Sequence, residues 1–165
     1  MRRLDYENMY KWVESKPALF CALGVIDKVG VLLTVCSYVF MLVASFVGGG
    51  WQSALRYLLF SAVPFAVLTV VRRLINSKRP AEVFGLADAC GKRGESMPSR
   101  HVFSAFLIGT LLTAEWAILG ALVLLIGVSI GACRVLRAKH FVRDCVAGAL
   151  TGAITGIIGV ILITV

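Results

Sequence analysis

A chain of 165 residues holds one domain and leaves no room for a second core. Hydrophobic residues make up 59% of it, and its mean hydropathy of +0.87 is too high for an ordinary soluble domain. The formal charge of +8 comes with no nucleic-acid-binding signature, so nucleic acid is excluded as the expected partner. An anionic ligand or anionic lipid head groups account for it better.

Residues 1–16 mix charge with Tyr6, Tyr10 and Trp12, which predicts an N-terminal amphipathic helix lying at the membrane interface. This start lacks the apolar core and cleavage site of a signal peptide. Pro17 suits the first turn of a new helix over residues 17–26, ahead of Asp27-Lys28. That run is roughly 15 Å long, half a bilayer core, so whether it spans is left open.

Residues 29–47 form a clear span, closed by Gly48-Gly49-Gly50, and residues 51–71 form the next, with a kink predicted at Pro64. A long polar connection over residues 72–97 follows, of the length that usually carries function. Helices are predicted over residues 102–116, 118–132 and 141–165. Glycines 148, 152 and 156 recur at four-residue spacing in the last, and 127 and 131 in the one before, as expected of a close helix–helix seam. The sum is an all-α integral membrane bundle of five or six transmembrane helices in one domain, 1–165. The cysteines (21, 36, 90, 133 and 145) have no paired or metal-ligand spacing and read as small buried hydrophobes.

Polar residues gather between positions 72 and 144 in three clusters. These are Arg72 with Arg79-Pro80, then Pro98-Ser99-Arg100-His101, then Arg134 with His140 and Asp144. Counting helices brings all three to one face of the membrane. Guanidinium forks match phosphate oxygens, so Arg72, Arg79 and Arg134 together ask for a phosphate. The opening of a helix at Ser99-Arg100 adds backbone N–H groups and a hydroxyl. His140 and Asp144 stand four apart on one helix face, where a carboxylate can hold the imidazole tautomer for attack. His101 has no carboxylate in its own sequence neighbourhood and suits a general acid.

The motifs R-x6-R-P (72–80), P-S-R-H (98–101) and C-R-x5-H-x3-D (133–144) resemble those of the type 2 phosphatidic acid phosphatase and vanadium haloperoxidase superfamily. Its pattern is K-x6-R-P, P-S-G-H and S-R-x5-H-x3-D. The resemblance implies His140 as the nucleophile of a phosphohistidine, Asp144 as its orienting partner and His101 as the proton donor to the leaving oxygen. It implies a phosphate held by Arg72, Arg79, Ser99, Arg100 and Arg134, and it implies no metal and no cofactor. Three departures stand out: Arg72 replaces lysine, Arg100 replaces glycine and Cys133 replaces serine. The Arg100 side chain could reach a second phosphate group.

The expected activity is hydrolysis of a terminal phosphate from a lipid phosphate or diphosphate: an isoprenoid diphosphate, phosphatidylglycerol phosphate or phosphatidic acid. The alternatives are a lipid phosphotransferase using the same phosphohistidine and a non-enzymatic lipid-binding membrane protein. The superfamily's haloperoxidases are soluble, and a chain this apolar argues against that chemistry. By resemblance the protein sits in a bacterial cytoplasmic membrane with its site facing outward. The positive-inside rule points the other way, but most of these basic residues have phosphate to bind. The loop over residues 81–97 is expected to roof the pocket. Substrate head group and oligomeric state stay open.

Overall fold

The computed structural model describes residues 3–86 and 93–164. Among them are six helices: α1 (Arg3–Glu14), α2 (Pro17–Ile75), α3 (Pro80–Phe84), α4 (Arg100–Thr113), α5 (Ala117–Leu136) and α6 (Val142–Thr164). Helix α2 is two arms in one. Gly50 has φ 72° and ψ −174°, a conformation open in practice to glycine alone. The chain reverses there, so that the Tyr38 hydroxyl on the first arm meets Ser61 Oγ on the second at 2.7 Å. The break falls at the glycine run. Pro64 lies inside the second arm, where the dihedral angles stay helical.

The first arm also differs from expectation. Residues 17–26 and 29–47 are one continuous helix, because Asp27 does not end it. The Asp27 carboxylate is 3% exposed and is neutralised from α5, as described below. A charge can remain inside an apolar helix when a partner of opposite sign reaches it.

Helix α4 is the centre of the bundle. Val102, Phe103, Ala105, Leu107, Leu111 and Leu112 are all buried, and α2, α5 and α6 surround it. The outer helices turn apolar faces outward: Leu32, Val47, Ile118, Leu125 and Ile157 are all exposed. A bundle apolar on its outside as well as in its core belongs in lipid. Three helical segments, α5, α6 and the stretch that begins with α2, are long and apolar enough to cross a membrane. In lipid the helices are held by close packing and not by exclusion from water. The glycine seam supplies that packing: a Cβ on Gly148 would lie 2.6 Å from the Ser99 carbonyl, and one on Gly152 2.5 Å from that of Phe103. The bare backbone of α6 thus lets the start of α4 settle against it, and the start of α4 is Ser99-Arg100-His101.

Candidate active site

Both ends of the bundle carry polar contacts, but of different kinds. At the far end Tyr57 donates to Glu115 Oε1 at 2.8 Å. At the near end the three sequence clusters meet. The Ser99 N–H donates to the Asp144 carbonyl at 2.9 Å, joining the second cluster to the third. Arg79 reaches the Lys139 carbonyl at 3.5 Å, joining the first to the third.

His140 lies in the short loop between α5 and α6 and is 1% exposed. Its Nδ1 faces Asp144 Oδ2 at 3.8 Å, too far for a hydrogen bond. Ser96 fills the gap. Its Oγ is 3.4 Å from His140 Nδ1 and donates to Asp144 Oδ2 in a short hydrogen bond. Oδ2 also accepts the Phe141 N–H at 3.0 Å. The sequence leads one to expect a direct His–Asp contact, whereas the structure inserts a serine relay. Nδ1 is taken up by this relay, which leaves Nε2 as the nitrogen free to attack. Ser96→Ala should therefore lower kcat by about 10–100-fold, the roughly 1.5–3 kcal/mol of a hydrogen bond to a charged group, at nearly unchanged KM in steady-state assays.

Burial lowers the pKa of His140 below its ordinary 6.5, with Arg79 and Arg134 pushing the same way against Asp144. His140 thus stays neutral as pH falls through 6.5. The acid limb of kcat/KM should lie below pH 6.5, and a limb at or above that value would show a protonatable nucleophile elsewhere. The sign for stability follows from the same shift. Below 6.5 the unfolded chain takes up a proton that the folded one refuses, so this histidine's contribution to stability declines as pH drops through its folded pKa.

The arginines are arranged around this centre. Arg72, 2% exposed, donates through Nη2 to the Glu95 carbonyl, while its Nε has no partner. Arg79 donates from Nε to the Gly94 carbonyl at 3.0 Å. Its backbone is fixed by Glu82, whose Oε2 accepts the N–H groups of Arg79 (3.2 Å) and Gly94 (2.7 Å). Arg134 is bound differently. Nε and Nη2 grip Asp27 Oδ1 and Oδ2 at 2.8 and 3.3 Å, and Lys139 Nζ joins Oδ2 at 3.0 Å. The Ser99 hydroxyl is fully buried and has no oxygen or nitrogen partner, with the Cys145 thiol as its neighbour. Arg100 and His101 face a cavity of about 490 Å³ whose lining is otherwise mostly apolar, including Val35, Phe65, Leu107 and Ile130.

Every sequence-predicted site residue is thus at one end of the bundle. Asp27, Ser96, Lys139 and Tyr6 were missed. Asp27 did carry a signal, being a lone carboxylate within an apolar run, which is by default a functional candidate. Ser96 and Tyr6 carried none. Of the loop over residues 81–97, the part at 87–92, with Cys90, lies outside the described residues. Cys21, Cys36, Cys133 and Cys145 are free thiols; Cys133 and Cys145 are buried as expected, whereas Cys21 and Cys36 are exposed on α2, contrary to that expectation.

A buried histidine, a serine–carboxylate relay and a group of arginines thus meet at one end of a lipid-facing helical bundle. The chain belongs to the PAP2 superfamily, whose family model matches residues 34–164. Among solved structures it is similar to LpxE of Aquifex aeolicus, at 24% identity and a TM-score of 0.68 over 92% of each chain. It is also similar to a transmembrane PAP2-type phosphatidylglycerolphosphate phosphatase of Bacillus subtilis. That match has 20% identity and a TM-score of 0.58, covering 94% of this chain and 90% of the other. No curated protein matches it in sequence.

Proposed function

We propose that this protein is a metal-independent lipid phosphatase that removes a terminal phosphate from a lipid phosphate or diphosphate by way of a phosphohistidine. The observation that carries the reading is the pair of buried groups with no oxygen or nitrogen partner, Arg72 Nε and Ser99 Oγ, at the end of the bundle that also holds the buried His140. Buried donors are nearly always satisfied, and a phosphate would satisfy both. The mostly apolar cavity next to Arg100 and His101 suits the hydrocarbon of a lipid leaving group.

In the first step His140 Nε2 forms a bond to phosphorus as the bond to the lipid oxygen breaks, and His101 gives that oxygen its proton. Arg72, Arg79, Arg134, Ser99 and the backbone of Arg100 hold the negative charge on the phosphoryl oxygens. In the second step water attacks the phosphohistidine, His101 takes its proton, and inorganic phosphate leaves with His140 restored. The two arms of α2 with α4, α5 and α6 make five membrane passes in this reading, and α1 lies at the interface. The site faces out of the cytoplasm of a bacterial cell.

The test is phosphate release in detergent, with EDTA present, from phosphatidic acid, phosphatidylglycerol phosphate and an isoprenyl diphosphate, in water enriched in oxygen-18. Release with one heavy oxygen in the phosphate supports hydrolysis. Transfer of the phosphoryl group to another lipid without heavy oxygen makes the protein a phosphotransferase, and release abolished by EDTA removes the metal-free mechanism.

A further inference from the structure

The groups that hold the third motif in place come from the start of the chain. Tyr6 on α1 is 3% exposed, and its hydroxyl sits 2.7 Å from the Val135 carbonyl and 3.0 Å from that of His140. Its ring lies against Phe141 and Phe84, with centroids 5.7 and 5.4 Å away. Phe141 is the next residue after His140, and its N–H is bonded to Asp144. Asp27 on the first arm of α2 takes both Arg134 and Lys139. Between them, the two residues clasp the segment 134–140 at its beginning and its end. Both precede residue 34, where the family match begins.

We infer that Tyr6 and Asp27 are positioning residues of the reaction, forming a two-point brace in which Tyr6 fixes the backbone of the nucleophile and Asp27 aims Arg134 at the phosphate. The division of labour follows from what each touches. A tyrosine hydroxyl on the His140 carbonyl acts on the direction of the imidazole and has no contact with the anion. A carboxylate that occupies Nε and one Nη of Arg134 leaves the remaining N–H groups of the guanidinium pointed elsewhere. The fixed fork of arginine makes that a directional choice. Aromatic packing of Tyr6 on Phe84 carries the brace to α3, whose start is Arg79-Pro80, so the first motif is tied to the same post.

The kinetic part of the test rests on the phosphatase reading, so a binding measurement accompanies it. Full-length wild type, Tyr6→Phe and Asp27→Asn are compared in detergent for turnover of the best lipid phosphate of the panel. Each is also titrated with orthovanadate, read as a rise in unfolding temperature. Tyr6→Phe should lose roughly fivefold or more in kcat, as expected for one buried hydrogen bond, with KM as in wild type and a smaller loss of vanadate affinity than Asp27→Asn. Asp27→Asn should bind vanadate about tenfold more weakly, since a released Arg134 no longer presents its free N–H groups to the anion.

Wild-type kcat in Tyr6→Phe overturns the brace. So does vanadate binding in Asp27→Asn that is as tight as in wild type or tighter, because a carboxylate that only competes for Arg134 would hinder the anion. If Asp27→Asn does not fold, Tyr6→Phe decides, as it removes a single oxygen. A wild type that binds vanadate but releases no phosphate from any lipid counts against the phosphatase reading alone. The brace is then judged by the Asp27→Asn titration.

Discussion

His140→Ala should release no phosphate above background from any lipid on the panel, a loss on the order of 10⁴-fold or more, as when a covalent nucleophile is removed. The structure supplies the reason the loss should be so large. His140 is the one imidazole whose Nδ1 is held by a buried relay to a carboxylate, and His101 has no such arrangement to take its place. The folded protein should survive the change. Removing the ring leaves the Ser96–Asp144 hydrogen bond intact, together with the Phe141 N–H on the same carboxylate. Orthovanadate should still raise the unfolding temperature of His140→Ala, though less than in wild type, because the arginine cradle remains. Acid-labile, base-stable labelling from a radioactive lipid phosphate should appear on wild type and be missing from the variant. Equal turnover by the two would mean that another group attacks phosphorus.

The three motifs could be read from the sequence because each is local. Arg72 with Arg79, Ser99 with His101, and His140 with Asp144 are each within one or two helical turns, and helix counting brought them to one face. What could not be read was the filling between them. Asp27 and Arg134 are 107 positions apart, and no local pattern joins them. A carboxylate and a lysine in an apolar run look like the end of a helix until the partner that neutralises the carboxylate is known. Ser96 was hidden for a related reason. It belongs to a loop held by Ser77 on one side, through a 2.8 Å backbone bond, and by Asp144 on the other, so its place follows from the assembled bundle. The reversal at Gly50 was legible, since a run of three glycines between two apolar stretches says where a chain can turn. The seam of α6 was also legible as packing. Its consequence for the site, that Gly148 lets Ser99 sit against Asp144, needed the coordinates.

His101→Asn should lower kcat for a lipid phosphate by about 10²–10⁴-fold, the usual contribution of a positioned general acid. The size of the loss should depend on the leaving group. A lipid alkoxide is a poor leaving group and needs the proton as the P–O bond breaks, whereas p-nitrophenolate leaves without it. The deficit of the variant should therefore shrink sharply with p-nitrophenyl phosphate, while the deficit of His140→Ala should be the same for both substrates. His101 stands on the first turn of α4, beside the cavity proposed for the leaving group, so its proton is on the side from which the lipid oxygen departs. In the proposed reaction His140 attacks from the opposite side of the phosphorus, as in-line displacement requires. If the two variants lose the same factor on both substrates, His101 supports the phosphate electrostatically and donates no proton. If His101→Asn hydrolyses the lipid at the wild-type rate, the proton comes from solvent, and the assignment of His101 as the acid fails.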